Sequence, residues 1–381
     1  MEPEPHKAPI RFYEIDLLRF LAALSVVFYH YTFWGYTVHQ TNPLGFPELA
    51  PATKYGYLGV ELFFIISGYV VLLSAQGKTV TQFLRSRITR LYPAFWAAVT
   101  FTFLVVRFGG AGLNQPLLTV GAGQYIYNLT MLHEFFGVAA VDASYWSLTV
   151  EITFYFLVSL LIGYKLMRHL DLFMSGWLAC IVLSMAAAKL GAESQLAGFT
   201  YLFFPKYAPY FIAGMLFYLF QAPAGRTWLR FGLLAAAYAL ALRSGINQGK
   251  ELTAAFNTPF SNLVIGGAIT LFFGIFLLIS FRVFSLSRFA WLKWAGALTY
   301  PLYLLHQAAG YVIFNRLAGL ANNYVLLAGV IAFMLAAAAA LHVFIEKPAS
   351  KWLGKRLSVW MARFDSETPG AAVPAFKAVE V

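Results

Sequence analysis

Apolar residues run through this chain in stretches of roughly 17 to 23 positions separated by short polar connections, the length at which a helix crosses the hydrocarbon core of a bilayer. Ten such stretches can be drawn, at residues 16–34, 57–75, 91–108, 145–164, 172–188, 200–220, 228–242, 259–281, 297–315 and 323–345. The seventh is short and the sixth is interrupted by Pro205, Lys206 and Pro209, so the count carries a margin of one or two. The pattern predicts an all-α polytopic integral membrane protein, because only helices satisfy their own backbone groups inside lipid.

Composition closes off the soluble classes. Of 381 residues, 60% are hydrophobic and only 11% charged, with a mean hydropathy of +0.68. A formal charge of +11 suggests nucleic acid in a soluble chain. Here the basic residues gather in the connections, so basicity reports topology and no nucleic-acid partner is expected. Alternating sides from a cytoplasmic N-terminus puts 19 Lys and Arg on the cytoplasmic side and 6 opposite, with Arg19 and Lys206 inside spans. That split predicts an even number of spans with both termini cytoplasmic. The lone cysteine, Cys180, permits no intrachain disulfide, and no metal site is expected. The expected organisation is a cytoplasmic segment over 1–11, a transmembrane domain over 12–348 and a basic, then disordered, tail over 349–381. No removable signal peptide is expected, since the first apolar run carries three ionisable residues.

Those ionisable residues are the first candidate chemistry. Asp16, Arg19 and His30 lie in an apolar run, where each is costly unless it has a task. Arg19 and His30 are eleven positions apart, three turns plus about 20°, so they share a face about 16 Å apart. Snorkelling of Arg19 and a backbone bond to His30 form the structural alternative. Asp16 at the helix start is explained by a cap or the helix dipole.

Four further segments add polar groups. Glu61, in Gly59 through Tyr69, is placed near the depth of His30, with Gly68 permitting close helix approach. Ser147, Glu151 and Tyr155 repeat every four residues along one helical face, again at that depth. A carboxylate beside an imidazole fixes its tautomer and raises its basicity, so Glu151 is the expected assistant of His30. Arg87 and Arg90, read as a cytoplasmic loop entering the third span, suit the phosphates of a nucleotide-bearing donor, although topology alone also explains them. Tyr300, Tyr303 and His306 form a polar strip on a late span, and Lys206 between two prolines reads as a broken helix beside a cavity. There is no Walker-type loop, and Asn128-Leu129-Thr130 is too short a match to a glycosylation sequon to carry weight.

Taken together, Arg19 with His30, Gly59 through Gly68, Arg87-Ile88-Thr89-Arg90, Trp146-Ser147-Leu148 with Glu151, Tyr300 through His306, and Phe344 through Pro348 resemble the acyltransferase 3 family of bacterial inner-membrane O-acyltransferases. The resemblance covers roughly residues 12–348. It implies transfer of an acyl group, expected to be acetyl, from cytoplasmic acetyl-CoA (acyl-CoA) as co-substrate to a hydroxyl of a glycan, lipid-linked glycan or small molecule. His30 and Glu151 are the expected catalytic pair; Arg19, Arg87 and Arg90 hold the donor; Glu61, Ser147, Tyr300, Tyr303, His306 and Lys206 support or bind substrate. Many relatives carry an extracytoplasmic hydrolase-like domain, and the expectation here is a stand-alone form, acting alone or with a separate extracytoplasmic partner. A proton-coupled secondary transporter, with His30, Glu151 and His306 as a relay and Lys206 at a broken helix, is the competing reading.

Overall fold

In a computed structural model, residues 12–38, 40–192, 195, 197–283 and 285–365 are described, and among them the secondary structure is helical, with no strand. Helix α1 (Tyr13–Tyr29) places Glu14 and Asp16 in its first turn, where acidic groups favour the positive end of the helix dipole. Its N-cap is Phe12, which makes no side-chain capping bond, so Asp16 is not the cap. At His30–Trp34 the backbone widens into a π turn and returns to α over Gly35–Thr37, making one rod from Tyr13 to Thr37.

The longer helices that follow are α2 (Gly59–Ala75), α3 (Val80–Leu104), α4 (Trp146–Gly163), α5 (Leu170–Lys189), α6 (Ala208–Leu219), α7 (Trp228–Phe256), α8 (Asn262–Ser280), α9 (Leu292–Leu305), α10 (Gln307–Leu317), α11 (Asn323–Leu341) and α12 (Lys347–Asp365). Among the described residues eight helical rods are long and apolar enough to cross a membrane. The expected spans at 200–220 and 297–315 are each built from two shorter helices: Ala197–Phe203 with α6, and α9 with α10, divided at His306.

Three boundaries differ from the sequence reading. Helix α3 starts at Val80, capped by Thr79 with Gln82 reaching back, so Arg85, Arg87 and Arg90 lie on the helix and not in a loop before it. Helix α7 runs on to Phe256, so Arg243 and Lys250 are helical as well. The chain also stays helical through Asp365, beyond the last expected span; the expected disordered stretch lies outside the described residues. In each case the helix reaches beyond the apolar run, because an α-helix continues into water wherever its polar residues favour it.

Helix α1 packs between α2 and α9, and α2 packs most heavily on α6. The α2–α6 crossing is set by glycines. A Cβ on Gly68 would lie 2.2 Å from the Phe211 carbonyl oxygen, and one on Gly214 would lie 2.1 Å from that of Ile65. Small residues let two backbones touch where the driving force is packing alone. Large apolar side chains such as Leu21, Phe156, Leu183, Leu263 and Phe333 point outward, as a lipid-facing surface requires.

Candidate functional site

The rod of α1 carries two polar stations, both turned toward α9, which runs beside it in the same sense. At its far end, His30 Nδ1 lies 2.8 Å from His306 Nε2, and His306 Nδ1 lies 2.8 Å from the Tyr303 carbonyl oxygen. A carbonyl only accepts, so His306 Nδ1 carries a proton. In the neutral pair His306 Nε2 is then the acceptor, His30 Nδ1 the donor, and His30 Nε2 keeps its lone pair.

His306 is fully buried at the break between α9 and α10. Breaking a helix frees backbone groups, and each must find a partner. Tyr145 Oη donates to the Leu304 carbonyl at 3.0 Å, while Tyr31 Oη adds a second bond, at 2.6 Å, to the His306 carbonyl that already accepts from the Gly310 backbone N–H. Asp142 Oδ2 accepts from the Ala308 backbone N–H at 2.8 Å, while its Oδ1 accepts from the Ser144 backbone and hydroxyl. On the opposite side, Tyr311 Oη donates to the His30 carbonyl at 3.1 Å. The sequence reading missed Asp142, Tyr31 and Tyr145. Only Asp142 left a mark in the sequence, as Asp-Ala-Ser ahead of an apolar run, the pattern of an Asx cap.

Toward the start of α1 lies an inner chamber with about 710 Å³ of atom-free space. Arg19, Arg90, Glu151, Ser67, Ser147, Tyr300 and Tyr303 supply its polar lining, and Val60, Phe63, Phe64, Ile66, Leu91 and Leu148 much of its apolar wall. Glu151 accepts from Tyr155 Oη at 2.5 Å and from Ser67 Oγ at 3.1 Å. The charges close enough to act on Arg19 include Arg90, Asp16 and Glu151. Ser147 Oγ and Tyr303 Oη are 2.7 Å apart, and the Tyr303 ring sits 5.7 Å from that of His306. Tyr303 thus forms the wall between the inner chamber and the histidine pair.

A wider chamber, with about 1590 Å³ of atom-free space, adjoins the first through Arg19, Arg90, Gly296 and Tyr300, which line both. Asp16 lines it too, pressed so closely on α9 that a Cβ on Gly296 would fall 2.2 Å from its carboxylate oxygen.

The geometry separates residues the sequence reading grouped. His306, not Glu151, is bonded to His30; Glu151 instead joins the arginine station. The shared depth expected for Glu151 and His30 therefore does not hold: Glu151 lies with Arg19 and Arg90, toward the other end of α1. Of the three expected donor arginines, Arg19 and Arg90 line both chambers. Arg87 lies over the rings of Phe83 and Tyr155, 5.6 Å from each centroid, and faces a separate groove between α3 and α4. Ser147, Tyr300 and Tyr303 line the inner chamber. Lys206 does sit at a break, but it pairs with Glu251 at 2.7 Å on α7 and lines neither chamber, away from the relay a transporter would need. Glu61 is buried, with one carboxylate oxygen unpartnered, within electrostatic reach of Tyr29, Tyr57, Tyr207 and Tyr210 and outside both linings.

The chain is 24% identical over 383 residues to "Acyltransferase MdmB" of Streptomyces mycarofaciens, covering 92% of this chain and 94% of that protein. It is 28% identical over 232 residues to "Nodulation protein 10" of Rhizobium leguminosarum bv. viciae, covering 54% of this chain and 57% of that protein. It is 27% identical over 168 residues to "O-acetyltransferase OatA" of Staphylococcus aureus, covering 40% of this chain and 25% of that protein. No solved structure matches. A family model described as an acyltransferase domain matches residues 12–343, from the start of α1 to the turn after α11, and the chain belongs to that acyltransferase 3 family.

Proposed function

We propose that the protein moves an acyl group, acetyl in the first instance, from acyl-CoA to a hydroxyl group of a glycan or other secreted or surface acceptor. The observation that carries this reading is the pair of joined chambers leading past Arg19 and Arg90 to the wall beside a histidine with a free ring nitrogen. The acetyl group is supported by the printed name of one relative, an O-acetyltransferase. The 19-to-6 distribution of basic residues supports a donor side facing the cytoplasm of a bacterial inner membrane, with α1 running outward.

In this mechanism Arg19 and Arg90 hold donor phosphate and the thioester lies along the inner chamber. His30 Nε2 takes the proton of the acceptor hydroxyl as its oxygen attacks the thioester carbonyl carbon. The C–O bond forms, the C–S bond breaks, and the leaving thiolate takes the proton from the imidazolium. His306 holds the imidazole in the required tautomer, and its own bond to the Tyr303 carbonyl keeps it from reversing roles. Tyr303 and Ser147 mark where the thioester meets the acceptor. Glu151 balances the arginine charge, which otherwise stands alone in a low-dielectric surround.

Vesicles with the donor side outward, given labelled acetyl-CoA, are expected to place label in an alkali-labile ester in a lipid, glycan or small-molecule fraction. The His30→Ala protein is expected to place none. Label absent from every fraction with folded wild-type protein, or normal transfer by His30→Ala, overturns the proposal.

A further inference from the structure

The wide chamber is more than a vestibule. Its lining includes the first turn of α9, the π turn His342–Glu346 and the start of α12. Trp294 stands there 47% exposed, with Lys347 Nζ 5.7 Å from its ring centroid and the His342 ring meeting it edge-on at 6.3 Å. Arg19, Arg90, Lys293 and Lys347 line the space against Asp16 and Glu346, and Glu346 is itself bonded to His342 at 2.7 Å.

We propose that this chamber seats an adenosine bisphosphate, the nucleotide end of the donor, with Lys293 and Lys347 on its phosphates and Trp294 against its purine. The assignment rests on the acyl-CoA reading above and extends it from the two arginines to a site for a second part of the same molecule. Shape and charge agree. A bulky polyanion needs a wide cationic room, and a thin pantetheine arm needs a narrower passage; here the wider chamber, with Lys293 and Lys347 in its lining, meets the narrower one at Arg19 and Arg90. Lysines give phosphate a mobile point charge, and an indole face accepts a stacked base.

The test compares two donors in one assay: acetyl-CoA and acetyl-pantetheine, which carries the thioester but no nucleotide. For K293Q/K347Q, the ratio of kcat/KM for acetyl-CoA to that for acetyl-pantetheine is expected to fall about tenfold, the value of one charged phosphate contact. Binding of adenosine 3′,5′-bisphosphate to purified wild-type protein, measured without turnover, is expected to weaken by the same factor in the variant and to be competed by CoA. Trp294→Ala is expected to weaken it as well, with Trp294→Phe restoring part.

A variant that lowers both donors equally, or neither, overturns the assignment. So does bisphosphate binding that is absent in wild type or unchanged in K293Q/K347Q. If the variant loses activity only in vesicles of anionic lipid and equally for both donors, the lysines hold lipid headgroups and the assignment fails. Should wild type bind the bisphosphate yet transfer label from neither donor, the functional reading fails while the nucleotide site stands.

Discussion

The two ends of helix α1 are built on opposite rules. At the His30 end the break in the neighbouring helix is closed by Tyr145 and Asp142, Tyr31 braces the His306 carbonyl, and the two imidazoles have one proton arrangement open to the neutral pair. At the Arg19 end the cations face open space, and the walls of two chambers meet. The first arrangement fixes an atom in place, as proton transfer demands. The second leaves room for something to arrive. One helix therefore holds a rigid station and a receptive one, about 16 Å apart.

Substitutions at the two ends should separate this contrast into different kinetic quantities. The largest effect is expected for His30→Ala, with kcat in the vesicle acetyl-transfer assay falling about 10³-fold and KM for acetyl-CoA little changed. His306→Ala follows at about 10²-fold in kcat, since the base remains but turns freely. His306→Asn, which can still accept from His30 Nδ1, is expected to recover part of the loss, and equal loss in both variants would make His306 merely structural. Arg90→Ala belongs to the receptive end: KM for acetyl-CoA is expected to rise about tenfold or more at near-constant kcat. Arg87→Ala, only three positions away but facing another groove, is expected to leave that KM within about twofold; equal shifts for the two would erase the distinction drawn here.

Smaller still, and on stability alone, Gly214→Ala is expected to cost about 1–3 kcal/mol in reversible unfolding from detergent, because its Cβ would overlap the Ile65 carbonyl. Lys206→Ala should change stability by no more than about 1 kcal/mol, since its pair with Glu251 is partly exposed.

Much of this was legible before any coordinates. Apolar run length pointed to a polytopic helical protein, and the repeat of Ser147, Glu151 and Tyr155 put them on one helical face, where Tyr155 does bond Glu151. The pairing of His30 with His306 was not legible, because it depends on how α1 is rotated against α9 across 276 positions of chain. Arg87 and Arg90 show the same limit at short range. Three residues apart they should share a face, yet about 60° of rotation remains between them, enough to put Arg90 on the chambers and Arg87 on aromatic rings outside. Tyr31 and Tyr145 were invisible for another reason: a tyrosine in an apolar run is ordinary, and which backbone carbonyl its hydroxyl meets depends on the neighbouring helix.

The π turn at His30–Trp34 has a consequence for counting residues. It holds its hydrogen bonds over five positions instead of four, so in effect one amino acid has been slipped into the rod between the half carrying Arg19 and the half carrying Tyr36. Removing any one residue from this turn would let the rod close into plain α-helix, rotating one half against the other by about 100°. The chain's tolerance for insertions and deletions should therefore be lowest here, and a relative one residue shorter at this place would need different neighbours for the segment after the turn.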